Sequence, residues 1–147
     1  MGAMPHSSWN PPALWVVLQS VARGLVACFG RLEVVGDVPA ELRGGPLILA
    51  ANHISPIDPI VLTAATRVRR IAPRIMATGG LFRAPVVGPV MRASGHIRVD
   101  RRTATVGDAL GVAADAVAEG SVVMVYPEGG ALNCAGAVAR SVHAAYC

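Results

Sequence analysis

The sequence predicts an α/β domain built on a largely parallel or mixed sheet flanked by helices, with an amphipathic helix at its amino end. Three observations lead there. "PLILAAN" (46–52) and "SVVMVYPEGG" (121–130) contain continuous apolar runs of strand length, the mark of strands buried on both faces. Between them the chain alternates extended and helical patterns, as βαβ units do. Finally, 147 residues at 53% hydrophobic and 15% charged are enough for one buried core. That composition is too apolar for disorder and too interrupted for a multi-span membrane protein.

Taken in order, "PPALWVVLQSVARGLVACFG" (11–30) carries an apolar stripe at Trp15, Leu18, Ala22, Leu25 and Phe29. The 3-4-3-4 spacing keeps these on one side of a helix, with Gln19, Ser20 and Arg23 opposite. Arg23 in mid-segment argues against a spanning helix. Two readings stand: a helix lying on a membrane surface, or one covering the core. "LVAC" (25–28) has the look of a lipoprotein cleavage box but lacks the basic start such a signal needs. "RLEVVG" (31–36) reads as a short strand, and "DVPAELRGG" as a connection punctuated by Pro and Gly. After the run 46–52, "DPIVLTAATRV" reads as a helix, with Asp58 as N-cap and Pro59 in the first helical position. "RIAPRIMAT" (70–78) is a strand interrupted by Pro73, and Gly and Pro break 79–95 into short helical turns. "HIRVD" (96–100) is a strand. Residues 102–120 form a helix with Val106, Leu110, Ala113 and Val117 on one side and Gly120 closing it. The strand from 121 runs into a glycine turn.

All thirteen basic residues are arginine. Arg67, Arg69, Arg70, Arg74, Arg83, Arg92, Arg98, Arg101 and Arg102 fall in one stretch where Asp100 is the only acid. Such a stretch suits an anionic partner, a phosphorylated ligand or acidic headgroup, or else is a solvated basic face. No helix-turn-helix, zinc or RNA-reading signature accompanies it, so nucleic acid is not expected. Cys28, Cys134 and Cys147 form no CxxC, which argues against a zinc site or disulfide framework and for a reducing compartment.

In parallel sheets ligands gather beyond the carboxyl ends of the strands. Here those ends are "NHISPID", "HIRVDR" and "YPEGG", three polar clusters. His53 with Asp58 five residues on is an arrangement suited to general-base chemistry, the carboxylate fixing the imidazole tautomer and stabilising its cation. Equally, Asp58 caps the helix and His53 is a satisfied loop histidine. There is no G-x-S-x-G elbow or evident cysteine nucleophile, so a covalent route is disfavoured.

"NHISPID" resembles the NHxxxxD motif of the glycerolipid acyltransferases, the family containing 1-acyl-glycerol-3-phosphate acyltransferase. "GHIRVDR" (95–101) looks like its second block, GxIFIDR, and "YPEGG" (126–130) like the start of its third, FPEGTRS. All three occur in order, each at a strand end. The resemblance implies that His53 deprotonates an acceptor hydroxyl, with Asp58 as its orienter. Acyl-coenzyme A or acyl-carrier protein would be the donor and co-substrate, with no further cofactor and no metal. A lysophospholipid would be the acceptor. Arg101 would hold its phosphate, Glu128 and Gly129 would line the same site, and Asn52 would support it. An arginine fork suits phosphate, and glycine lets the backbone approach an anion. The enzyme would work on the cytoplasmic face of a membrane, peripherally or anchored by its amino end.

Departures accompany the likeness. Arg98 replaces an aromatic of the second block. Gly130, Ala131 and Leu132 stand where Thr-Arg-Ser is expected, and a fourth block is missing. The expected organisation is therefore a helix at 1–30, a partial acyltransferase domain at 31–130 and a tail without family character at 131–147, read as a truncated or frame-shifted end or else as a genuine divergent tail. The alternative function is an impaired member that only binds lipid or acyl thioester. A further alternative is a basic membrane-surface protein without chemistry.

Overall fold

The computed structural model describes residues 9–43, 45–99 and 106–127. Its order is α1 (Ala13–Phe29), a 3-10 turn (Ala40–Leu42), β1 (Leu47–Ala50), α2 (Asp58–Val68), β2 (Arg74–Thr78), α3 (Gly79–Arg83), α4 (Val87–Ala93), β3 (Ile97–Val99), α5 (Val106–Ala118) and β4 (Val122–Val125). The four strands make one sheet in the order β1-β4-β2-β3, every pair parallel. The predicted α/β class with a parallel sheet flanked by helices is what the chain adopts.

Alternation along the strands divides the core. Met124 faces one way with Ile75 and Trp15, against which Leu18 and Leu62 pack. Val123 faces the other way with Ile97 and Ala116, joined by Ala113 and Val117. Side chains of successive strand residues point to opposite faces, so α1 and α2 cover one face and α5 the other. Val122 and Val123 are each 1% exposed, as central parallel strands require.

Four expectations need correction. Residues 31–36 form no strand. The Val34 carbonyl is taken by the Arg69 guanidinium rather than by a sheet ladder, and Asp37 pairs with Arg43 at 2.8 Å and Arg69 at 3.6 Å. In α1 the buried face is Trp15, Gln19 and Ala22, while Leu25 and Phe29 are exposed, Phe29 to 87%. Gln19, placed by periodicity on the polar side, is the buried tie between helices: its Nε2 donates to Thr66 Oγ1 at 3.0 Å and to the Ile71 carbonyl at 2.8 Å. Similarly, α5 buries Ala109 and Ala116 and leaves Leu110 exposed. Small side chains face the sheet there and allow close packing. Lastly, Asp58 is not the N-cap: Ile57 holds that position without a side-chain cap bond, and Asp58 opens the helix proper.

Replacing Gln19 by leucine would strand the buried Ile71 carbonyl. An orphaned buried acceptor costs about 1–3 kcal/mol. The urea midpoint should fall accordingly with an unchanged slope, since the surface exposed on unfolding is the same.

Several arginines of the basic stretch are engaged within the fold. Arg67 donates to Ser20 Oγ (3.0 Å), Arg92 to the Phe82 carbonyl (2.7 Å) and Arg74 to the Gly95 carbonyl (2.8 Å). Arg74 also lies over the Trp9 ring, 5.0 Å from its centroid. Part of the basic stretch is thus structural.

Candidate active site

The turn after β1 is built by one carboxylate. Asp58 Oδ2 accepts the main-chain N–H groups of Ile54 and Ser55, both at 2.6 Å, and lies 3.3 Å from His53 Nδ1. Being turned back onto its own loop, it is unavailable as a helix cap. Nδ1 of His53 faces the carboxylate, and the two side chains are each about one-fifth exposed. Asn52 is half-buried in the same turn.

Strand order brings a second exit alongside. Ala50 pairs with Val125, and Ala51 donates to the Val125 carbonyl at 3.0 Å. The next residue, Tyr126, lays its ring 4.7 Å from that of His53, tilted by 35°. Burial, and secondarily the Asp58 carboxylate, pushes the Tyr126 phenol up to about 12, so it stays protonated across the physiological range. The motif likeness points to Glu128 and Gly129 and not to Tyr126. Strand alternation, placing it on the same face as Met124, was the signal available. The first and third clusters therefore meet, while β3, which leads to the second, lies at the far edge of the sheet. Arg101, Glu128 and Gly129 lie outside the described residues.

His53 and Tyr126 border a cavity of about 850 Å³ whose lining comes from strands and from all five helices. Its walls are mainly apolar, with Trp15, Ile60, Ile75 and Leu81 among them, and His96 also contributes. The volume falls in the range that holds a sizeable ligand. Among the described residues, no three His, Cys, Asp or Glu side chains are grouped to hold a metal ion.

A family model described as Acyltransferase matches residues 31–144 of the chain. The chain belongs to the acyltransferase family. No curated protein and no solved structure matches it. Acyl transfer in general follows from membership, and the acyltransferase reading of the three clusters agrees with it.

His96 gives this acyltransferase a pH signature. Burial, and secondarily the nearby Arg74 guanidinium, pushes its imidazole from the usual 6.5 down to about 4. The unfolded chain therefore binds this proton first, so stability is complete above about pH 6.5 and declines as pH falls toward 4. The decline should reach about 3 kcal/mol by pH 4, at about 1.4 kcal/mol per unit of displacement. Urea midpoints between pH 4 and 7 would show it, and His96→Asn should flatten the curve in that window.

Proposed function

We propose that this acyltransferase moves a fatty acyl group from acyl-coenzyme A or acyl-carrier protein to the hydroxyl of a lysophospholipid such as 1-acyl-glycerol-3-phosphate, with His53 as general base. The observation that carries the reading is the His53–Asp58 pair at the edge of a large apolar cavity. Asp58 holds the proton on His53 Nδ1, leaving Nε2 to take the acceptor's hydroxyl proton. The oxygen then attacks the thioester carbonyl. As the C–O bond forms and the C–S bond breaks, the leaving thiolate takes the proton back from the imidazolium. Each atom is accounted for without a covalent enzyme intermediate.

Arg101, Glu128, Gly129 and Asn52 are proposed for the acceptor side, on the strength of the motif likeness. Membrane association is proposed for α1, whose outer side carries an apolar row at Leu14, Val17 and Val21, exposed to 39%, 57% and 60%. An apolar row of that kind suits the acyl boundary of a lipid surface. No helix of the described residues is long and apolar enough to cross a membrane.

The test is thiol release from acyl-coenzyme A by the purified protein, with and without lysophosphatidate. Release that depends on the acceptor supports the reading. Release only with another acceptor would move the specificity. Folded protein that binds acyl thioester and turns over no acceptor would leave a binding function.

A further inference from the structure

His96 stands immediately before β3, at the end of the sheet opposite His53, yet both line the same cavity. Its Nδ1 accepts the Ile75 N–H at 3.1 Å. A ring nitrogen that accepts is unprotonated, so the single N–H of this neutral imidazole is on Nε2. The ring is 8% exposed and meets Trp15 edge to face, with centroids 4.3 Å apart. Among the described residues, the bond through Nδ1 is the ring's one hydrogen bond. Nε2–H is the ring's donor, and His96 lines the cavity, so an oxygen of an occupant can accept from it.

We infer that His96 Nε2–H is a specificity determinant that receives an oxygen carried at the far part of the acyl chain, so that the cavity favours ω-oxygenated over plain acyl groups. The inference rests on the acyl-transfer reading for what occupies the cavity. Register supplies the length. Ile75 pairs with Met124, which places His96 across β2 from β4 and two residues back from Tyr126. Two strand spacings across and two residues along separate His96 from Tyr126 by about 12 Å, the reach of roughly ten methylenes. A hydroxyl at the end of a dodecanoyl chain whose thioester sits by His53 arrives at that depth.

The test compares dodecanoyl- and ω-hydroxydodecanoyl-coenzyme A as donors, and dodecanoate with ω-hydroxydodecanoate as competitors for a bound fluorescent fatty acid. Wild-type protein should favour the hydroxylated member of each pair by about five- to tenfold, the range of one neutral hydrogen bond. His96→Asn retains an amide oxygen to accept the Ile75 N–H but removes Nε2, and should abolish the preference in binding and in kcat/KM while keeping a cooperative unfolding transition. Equal binding of the two acids by wild-type protein would overturn the inference without reference to any variant. A preference that survives His96→Asn would overturn it too. Preference in binding with no transfer from either donor would leave the inference standing and defeat the acyl-transfer reading instead.

Discussion

His53→Ala is expected to lower acyl transfer by about two to four orders of magnitude, the usual contribution of a positioned general base. The effect should fall on kcat and leave donor binding nearly unchanged, since the role proposed for the imidazole is to take the acceptor's proton. The turn and the fold around it should persist, because Asp58 keeps the Ile54 and Ser55 N–H donors without the imidazole. Steady-state kinetics beside a denaturation curve checks both statements. Activity within a fewfold of wild type would remove His53 from the chemistry.

Substitutions at Asp58 can separate its observed part in the loop from its proposed part in catalysis. Asp58→Asn offers an amide oxygen to the Ile54 and Ser55 N–H groups, so the turn should persist. The negative charge proposed to fix the His53 tautomer and stabilise its cation is lost, and on that proposal kcat should drop by about two to four orders of magnitude. Asp58→Ala should lose the same activity and, in addition, about 2–3 kcal/mol of stability, because charged-acceptor hydrogen bonds to the main chain disappear. Comparing unfolding midpoints of the two variants isolates the scaffold contribution. An asparagine variant with full activity would reduce Asp58 to a loop organiser.

Much of this was legible in the sequence, for identifiable reasons. Continuous apolar runs mark buried parallel strands, so β1 and β4 are plain, and the Asp-Pro start places α2 over 58–68 as observed. The 31–36 segment misled because alternation predicts a strand only if a neighbouring strand is free to pair. Here an arginine side chain takes up the Val34 carbonyl. Periodicity also misplaced Gln19, since it ranks residues by polarity and cannot foresee a buried carbonyl that needs a donor. The same limit misplaced Leu110 in α5, although Ala113 and Val117 of the predicted stripe do pack on the core beside the small residues Ala109 and Ala116. At the site, His53 and Asp58 stood out by spacing, but the choice between cap and partner needed the direction of one carboxylate. The closeness of Tyr126 depends on β4 inserting between β1 and β2, a strand order no local pattern encodes.

Trp15 and Ala22 belong to α1 and at the same time wall the cavity. Occupancy and helix seating are therefore one equilibrium seen from two ends: whatever free energy an occupant gains from these side chains it returns as adhesion of α1 to the sheet. The helix is held hardest when the cavity is full and gives way most easily when it is empty. An outward pull on α1 would correspondingly loosen the grip on what lies beneath it.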